Sequence, residues 1–418
     1  MDWRDSADQA AFRESVRTFM QERLPPRYEA GSAWYSRQEI PSPVETLIMP
    51  GASWDTDRMS DDPEVRRQCQ DWVEALKERG WVAAHWPGEL GGAGLSTIEQ
   101  YILNEERTLA DAPRVGGTGA MFLGSLLMVH GTPEQRARHM PAIAAGEINW
   151  AQGYSEPGAG SDLGSLSLRA VRDGDEYVLN GQKIWSTPQT ADAMYALART
   201  DPDAPKHRGI SFLMIEDFRI PGISWRPLLN ACFDHSSFGE TFFEDARVPA
   251  TNLIGEENRG WYVAMTLMDF DRASISNTAE QRLDMQELIG FATGEGRDLV
   301  RIGERPVLRG EIADRMIEVE VGYNLSLRLA WMQSSGLIPN YEASMGKMFS
   351  TELLQRVARS ATKTFGLYGN LWPGDERAPL AGKHTYQYLR TIPRTISGGS
   401  SEIQRNVIAT RGLGLPRG

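Results

Sequence analysis

The sequence has little cysteine and little histidine, which limits the chemistry open to it. Only Cys69 and Cys232 occur among 418 residues, too few for a disulfide framework or a cysteine zinc site. The six histidines are scattered and never form the HExxH pairing of zinc hydrolases. We therefore expect no metal site.

Long apolar runs and an excess of positive charge are also missing. No segment approaches the roughly 18 uncharged apolar residues that a membrane helix needs, and the charged N-terminal segment has no stretch suited to a signal peptide. The net charge of −12 argues against nucleic-acid binding. An anionic small ligand remains possible, because helix ends and loops bind phosphate even in acidic proteins. We expect a cytoplasmic protein with no membrane span and no nucleic-acid partner.

The composition is that of a globular protein, with 41% apolar and 24% charged residues. The length allows two or three domains. Helix-start signals are frequent in the first third of the chain. The stretch 31–61, between the predicted helix that starts at Ser6 and the one that starts at Asp62-Pro63, reads as an extended polar loop. The predicted starts are the capping boxes Ser6/Gln9, Ser96/Glu99 and Thr132/Gln135 and the Asp62-Pro63 pair.

From about Asn149 the hydrophobic period changes from helical to alternating. Asp173-Gly174 and Asn180-Gly181 both read as turns between alternating runs, because Asn-Gly favours the positive φ of hairpin turns. Residues 210–215 and 241–243 read as further strands. This β region is predicted to end near Pro249.

The remainder is helical, with amphipathic stretches at 262–278, 311–332 and 344–364 and a last helix starting near Ser401. The predicted fold is mainly α with a central β domain. It comprises an N-terminal helical domain (1–148), a small β-barrel or sandwich (149–252) and a C-terminal four-helix bundle (253–418).

The segment QGYSEPGAGSD, residues 152–162, is the most informative for chemistry. Its glycines and proline form a rigid turn whose backbone N–H groups can approach an anion or a flavin edge, with hydroxyls from Ser155 and Ser161. It is not a GxGxxG fingerprint, and composition alone fits an interdomain turn equally well. About two dozen residues later, Trp185 stands beside two hydroxyl residues and could form a wall for a planar ring. A lone strand tryptophan is more often core, but its pairing with the preceding turn favours a ligand site.

Four strings together resemble the acyl-CoA dehydrogenase family: GYSEPGAGSD, DGDEYVLNGQKIWST, RVPATNLIGEENRGW and TISGGSSEIQRNVIATRGLGLP. Their order and spacing match over nearly the whole chain, starting from WPGELGG at 86–92. The resemblance implies FAD-dependent α,β-dehydrogenation of an acyl-CoA thioester. It also implies an electron-transfer flavoprotein as acceptor and a dimer or tetramer of like or unlike subunits.

The same resemblance implies a set of cofactor contacts. Ser155 and the neighbouring backbone would hydrogen-bond the flavin ring, and Trp185 would pack against it. The glycine turn at Gly366 and Gly369 would contact the FAD of a neighbouring subunit. The full set implied to bind FAD is Gln152, Tyr154, Ser155, Gly160, Ser161, Trp185, Thr187, Gly366, Gly369, Ser400 and Glu402.

Two departures from the family pattern concern the base and the adenine side. Many members carry a Glu before the final Gly-Thr, but here residues 397–400 read Ser-Gly-Gly-Ser. A subgroup that includes isovaleryl- and long-chain acyl-CoA dehydrogenases places the base on the first helix of the C-terminal bundle, where its Glu-Arg aligns with Asp271-Arg272. The resemblance thus implies Asp271 as catalytic base, with Arg272 and Ser161 on the substrate. The Arg-x-x-Phe-Gly string of the family is absent around 296–308, so the resemblance does not carry over some of the adenine-side contacts.

Helix periodicity supports Asp271 without the resemblance. A carboxylate within an apolar stripe is costly unless it is paired or functional, whereas Asp269 points to another side. A structural ion pair is the alternative reading. The stripe comprises Ala264, Leu267, Met268, Asp271, Ile275 and Thr278.

Three other functions remain open from the sequence. One is a flavin monooxygenase with the same fold and no α-proton base. Another is a non-catalytic subunit of a hetero-oligomeric dehydrogenase. A helical scaffold or binding protein explains the helices but not the glycine turn and tryptophan.

Overall fold

The computed structural model describes residues 4–29, 52–232, 238–271 and 277–416, without the side chains of 267–271 and 277. Its first part is helical, and the predicted capping boxes at Ser6, Ser96 and Thr132 are all formed. Asp62 caps the helix that begins at Pro63, as predicted. The helices are α1 (Ala7–Arg23), α2 (Trp54–Asp57), α3 (Pro63–Glu78), α4 (Thr97–Leu109), α5 (Gly124–His130) and α6 (Pro133–Ala144).

The prediction of an extended loop over 31–61 can be compared with the structure only at 52–61, where one helical turn interrupts otherwise irregular chain. Residues 30–51 lie outside the described part of the chain. Within the rest, Trp54–Asp57 forms a helical turn capped by Ser53. It is held because Trp54 is buried and because Arg27 donates two hydrogen bonds, of 2.6 and 2.7 Å, to the buried Asp57 carboxylate.

The middle of the chain forms an eight-stranded sheet in the order β6-β7-β3-β2-β4-β5-β8, with β1 parallel to β4. Most neighbouring strands are antiparallel. Buried side chains line both faces of the sheet, since Tyr195 and Leu197 face the N-terminal helices whereas Met194 and Ala196 belong to a core inside the β domain. The strands are β1 (Trp150–Gly153), β2 (Arg169–Asp173), β3 (Glu176–Ser186), β4 (Ala193–Arg199), β5 (Ile210–Ile215), β6 (Ile223–Pro227), β7 (Gly239–Pro249) and β8 (Leu253–Ile254).

The prediction of a turn at Asn180-Gly181 is wrong, because β3 runs unbroken through both residues. The predicted turn at Asp173-Gly174 is confirmed, because the hairpin between β2 and β3 turns there with φ at +63° for Gly174. Asn180 uses its amide to bond Asp245 on the neighbouring strand, at 2.9 and 3.0 Å. Gly181 adopts a φ of +138° at an irregularity in the β3–β7 register, where a Cβ atom would come within 3.0 Å of the Leu168 Cα. The glycine therefore serves a close strand approach rather than a turn.

The last part of the chain is helical again. Helices α8, α10, α11 and α12 pack on one another around buried apolar residues such as Leu288, Val319 and Leu353, which is the predicted bundle. No described helix is both long and apolar enough to cross a membrane. The helices are α7 (Gly260–Asp271), α8 (Asn277–Thr293), α9 (Arg297–Val300), α10 (Pro306–Ser334), α11 (Tyr341–Phe365), α12 (Lys383–Arg390) and α13 (Ser401–Val407).

Candidate active site

The glycine-rich segment after β1 is a tight turn. Glu156 and Ala159 exchange two backbone hydrogen bonds of 3.0 Å and close the turn around Pro157 and Gly158. A Cβ atom added at Gly158 or Gly160 would meet nothing within 4 Å. Packing against the described residues requires neither glycine, so the outer side of the turn is open to close approach by a ligand.

A buried ion pair fixes this turn from below. The Glu156 carboxylate accepts hydrogen bonds from the Lys183 Nζ at 2.8 Å and from two backbone amides, those of Ser167 and Leu168, at 2.6 and 2.8 Å. Lys183 is fully buried and also donates to the Tyr154 carbonyl at 3.0 Å. The Lys183 ammonium therefore binds two residues of the segment that leads into the turn, Tyr154 through its carbonyl and Glu156 through its carboxylate.

The protonation states of the pair follow from their surroundings. Burial lowers the pKa of Lys183 to about 8, although Glu156 opposes the shift. Burial disfavours the Glu156 carboxylate, but Lys183 and the two backbone amides outweigh that effect and lower its pKa. Both groups are therefore mainly charged near neutral pH.

The turn lies directly beside the Trp185 strand. The Ile184 backbone N–H donates to the Ser155 carbonyl at 3.0 Å, which joins the turn to β3 one residue before Trp185. The structure thus brings together two segments that are about two dozen residues apart in sequence and that were singled out for the same ligand.

Trp185 has an unusual backbone conformation at this junction. It is the extra residue in a bulge between β3 and β7, with φ at +67°, and its side chain is 58% exposed. Its ring touches Phe238 edge-on, with centroids 5.8 Å apart. A left-handed conformation costs a bulky residue about 1–3 kcal/mol, and such residues concentrate at functional sites. The bulge turns an aromatic face outward beside the glycine turn.

The other predicted residues in the β domain differ in what they present to this face. Ser155 and Thr187 are partly buried, and Gly160 and Ser161 are exposed. The Tyr154 side chain packs edge-on against Tyr195 in the core, so only its backbone is available to a ligand. Gln152 pairs with Tyr195 in the sheet. The Ser186 hydroxyl, not singled out from the sequence, is buried and has no hydrogen-bond partner among the described residues.

The C-terminal candidates surround helix α11 rather than the sheet. Gly366, with φ at +59°, ends α11, and a Cβ atom at Gly369 would lie 2.6 Å from the Thr362 carbonyl oxygen. The local backbone thus accounts for the presence of glycine at both positions. Ser400 caps α13 by accepting from the Ile403 N–H at 3.3 Å, and Glu402 is exposed in the first turn.

The predicted base is described only through its backbone. Asp271 is the last residue of α7 that the structure describes. Arg272 and the rest of 272–276 lie outside the described residues. Ala264, seven residues earlier and hence on the same helix face, is fully buried where α7 packs on β5 and α5. On the far side of the gap, Thr278 is buried and bonds Ser326 of α10 at 3.1 Å. The two ends of the proposed stripe are thus both buried.

The sequence did carry a signal for the Glu156–Lys183 pair, which was missed. Tyr177, Leu179 and Lys183 are separated by two and four residues along β3, an even spacing that places them on the same face, and all three are fully buried. A lysine on an inward face needs a carboxylate. Glu156 in the turn was the candidate to supply it.

Three family models match consecutive regions of the chain. They are the acyl-CoA dehydrogenase N-terminal domain over 37–147, the middle domain over 151–246 and the C-terminal domain over 258–413. The chain belongs to the acyl-CoA dehydrogenase family. It is 34% identical to the acyl-CoA dehydrogenase FadE29 of Mycobacterium tuberculosis over 91% of this chain and 96% of that protein.

Solved structures of the family share the fold over the full length. The Tcur3481-Tcur3483 steroid ACAD superposes with a TM-score of 0.85 at 30% identity, with both chains covered completely. The ChsE4-ChsE5 complex from Mycobacterium tuberculosis gives 0.82 at 30% identity, again with full coverage of both chains. Membership makes the chain an oxidoreductase of acyl-CoA thioesters in a family of FAD-dependent flavoproteins.

The residues present fit a flavin. A planar ring needs a flat apolar partner and hydrogen-bond donors at its edge. Trp185 offers the exposed aromatic face. Ser155 and Thr187 offer hydroxyls nearby in sequence, and the buried Ser186 hydroxyl has no partner among the described residues. The open side of the glycine turn allows close approach of the ligand.

Replacing Trp185 separates the cost of its backbone conformation from the contribution of its ring. Trp185→Gly relieves the left-handed strain, whereas Trp185→Ala retains it. We expect the Gly variant to be more stable than the Ala variant by about 1 kcal/mol without FAD. Both should bind FAD about tenfold more weakly than the wild type, since both lose the ring. Denaturant unfolding of the apoproteins and fluorescence titration with FAD measure the two effects. Equal FAD affinity in all three proteins would exclude Trp185 from the flavin site.

Proposed function

We propose that this enzyme converts an acyl-CoA thioester to the 2-enoyl-CoA, with Asp271 as the base. The Asp271 carboxylate takes the proton from Cα, and the β-hydrogen leaves Cβ with its electron pair as a double bond forms between the two carbons. Bound FAD supplies the two-electron acceptor for that hydride. Arg272 and Ser161 are proposed to contact the substrate.

The observation that carries this proposal is the outward face of Trp185 beside the anchored glycine turn. The bulge holds the ring in a strained conformation, and Lys183 and Glu156 fix the turn next to it. Packing against the described residues does not account for the strain, because Trp185 remains mostly exposed to solvent. A flavin ring stacked there accounts for both the strain and the exposure.

The remaining cofactor contacts are proposed by group. On the β domain, the Gln152–Ser155 backbone, Gly160, Ser161 and Thr187 would line the flavin and the start of the pyrophosphate. On the bundle, Gly366 and Gly369 together with Ser400 and Glu402 would hold the distal part of a cofactor bound to a neighbouring subunit. The domain division at 148/149 and 252/253 matches this separation into a β site and a bundle site.

Product analysis tests the proposed reaction. The holoenzyme is incubated with a saturated acyl-CoA and a dye acceptor, and the thioester is examined by mass spectrometry. Loss of two hydrogens from the acyl chain is expected, and an α-deuterated substrate should lose one deuteron to solvent. Incorporation of an oxygen atom instead would indicate the monooxygenase reaction and overturn the proposal.

Electron-transfer flavoprotein is the proposed acceptor for the reduced enzyme, and the cytoplasm the proposed location. Both rest on the family resemblance together with the reaction proposed above. Rapid reoxidation of the reduced enzyme by an electron-transfer flavoprotein, faster than by oxygen, is the expected behaviour.

A steroid side-chain thioester is the proposed substrate class. The support is likeness, since a steroid ACAD matches this chain over its full length. A comparison of turnover on a C24 steroid acyl-CoA with that on straight-chain thioesters tests it, and faster turnover of the straight chains would contradict it.

Assembly with further subunits is proposed from exposed apolar side chains on the bundle. Leu367 in the turn after α11 is 88% exposed, and Ile396 and Leu413 near the C-terminus are also largely exposed. Two of the similar solved structures carry the names of two chains each, Tcur3481-Tcur3483 and ChsE4-ChsE5. A glycine stands at 398 where many relatives carry their base, so a second, different subunit is a specific alternative to identical copies.

Leu367→Glu should disrupt this assembly. Leu367 directly follows the Gly366 turn, and a charge there costs little in a free subunit but several kcal/mol in an apolar interface. We expect the wild type to exceed the mass of a single chain, 46.6 kDa, in light scattering, and the variant to dissociate with loss of FAD. Val129→Glu on α5, which is also an exposed apolar residue, is the control and should leave the mass unchanged. An unchanged mass for Leu367→Glu would exclude this turn from the interface.

A further inference from the structure

A polar cavity lies where the N-terminal helices meet the C-terminal bundle. It has a volume of about 240 Å³, equivalent to roughly eight water molecules at liquid density. The end of α4 and the segment after it form one wall, and α8 and α12 form the other. The lining residues are Arg107, Thr108, Asp111, Ala112, Arg114, Glu280, Leu283 and Lys383.

Arg107 has no ionic partner within the described chain. Its side chain is 9% exposed and lines the cavity, yet its guanidinium makes no hydrogen bond or ion pair with any described residue. Burial, and secondarily the positive charge of Arg114, hold the pKa of Arg107 well below its usual range. A largely buried guanidinium without a countercharge is costly, because the charge loses most of its hydration.

The other charged groups at the cavity do not compensate Arg107. Lys383 is already held by Asp284 at 2.8 Å and by Glu287 at 2.7 Å. Burial raises the pKa of Asp111 to about 6, and burial together with nearby Asp284 raises the pKa of Glu280. Neither of these two carboxyl groups forms an ion pair or hydrogen bond with Arg107 in the described part of the chain, so the guanidinium has no countercharge in contact with it.

We propose that this cavity binds the carboxylate of a small organic acid through the Arg107 guanidinium. The planar fork of arginine matches a carboxylate with two parallel hydrogen bonds, which is the strongest complement to an unpaired guanidinium. Two sources share this chemistry: a free small carboxylic acid, or a carboxylate at the far end of the acyl chain of the substrate. The second source rests on the function proposed above, whereas the first does not.

Stability of the ligand-free holoenzyme gives the first test. Arg107→Gln removes the unpaired charge, so we expect its melting temperature to equal or exceed that of the wild type. Arg219→Gln, at an exposed surface arginine, is the matched control and should change nothing. A merely structural Arg107 would instead make Arg107→Gln less stable, and that result would overturn the proposal.

Binding is the second test, with adipate, adipyl-CoA and hexanoyl-CoA as probes in calorimetric titrations. If a free acid is the ligand, adipate binds the wild type saturably, and Arg107→Gln binds it at least tenfold more weakly. If the acyl chain supplies the carboxylate, adipate alone does not bind. Arg107→Gln then weakens adipyl-CoA at least tenfold but leaves hexanoyl-CoA unchanged.

Arg107→Lys keeps the charge but loses the fork, and should show a smaller loss for the same probe. This variant covers the case in which Arg107→Gln fails to fold. The proposal is overturned if wild type, Arg107→Lys and Arg107→Gln bind both carboxylate probes with identical affinity. It is also overturned if the substitutions change only the oligomer mass, because the carboxylate would then belong to a partner chain. FAD content and hexanoyl-CoA dehydrogenation report separately on the proposed function.

Discussion

Asp271→Asn will abolish substrate-driven flavin reduction while FAD stays bound. The amide is isosteric with the carboxylate but cannot accept the α-proton, and general-base catalysis contributes about 10²- to 10⁴-fold to rate. Stopped-flow absorbance under anaerobic conditions, with a turnover substrate and matched flavin content, measures the loss directly.

Asp269→Asn is the matched control for this variant. It lies two residues away on the same helix, turned by roughly 200°, and makes the same chemical change on another face of α7. We expect it to reduce flavin within a factor of about two to three of the wild type. Full activity of Asp271→Asn, or equal loss in both variants, would remove Asp271 from the role of base.

Lys183→Met will lose both stability and cofactor. The change removes one partner of a buried ion pair and leaves the Glu156 carboxylate with two backbone amides and the Ser167 hydroxyl as donors but without the ammonium that contacts it. Breaking a buried pair in this way costs about 3–5 kcal/mol. The turn that lies beside Trp185 loses its anchor, so we expect apoprotein on purification and a large decrease in the free energy of unfolding.

A double substitution and a surface lysine separate the causes. Lys183→Met with Glu156→Gln removes both charges, and should recover part of the stability lost by the single change. Lys206→Met breaks an exposed pair with Asp162 on the outside of the same turn, and should cost less than about 1 kcal/mol. A Lys183→Met protein as stable as Lys206→Met would show that the buried pair does not hold the turn.

Much of the fold could be predicted because its signals are local. The boxes at Ser6, Ser96 and Thr132 specify helix starts through contacts three residues apart, and all three are formed. The turn predicted at Asn180-Gly181 was wrong because a glycine with positive φ can serve a turn or a bulge, and the sequence does not specify which. Here the neighbouring strand and Leu168 demand a bulge, and both contacts are distant in sequence.

The sequence identified the two segments that form the candidate site but not the geometry that joins them. The glycine turn and Trp185 were identifiable by composition, and the link between them, an Ile184–Ser155 hydrogen bond, depends on the folded sheet. The left-handed φ of Trp185 has no sequence signal, since a tryptophan rarely adopts it. Conversely, the resemblance explained Gly366 and Gly369 by a cofactor contact. The fold also explains them, since Gly366 has a positive φ and a Cβ atom at Gly369 would clash with the backbone of Thr362.

Anaerobic titration of the holoenzyme with acyl-CoA thioesters tests the central claim most directly. The panel runs from short straight chains through branched chains to steroid side chains, and the oxidised flavin band is followed at each addition. The account predicts that at least one member bleaches the band stoichiometrically, without any other reductant. Persistence of the oxidised band with every thioester, while FAD remains bound and dithionite still reduces it, would contradict the proposed dehydrogenation.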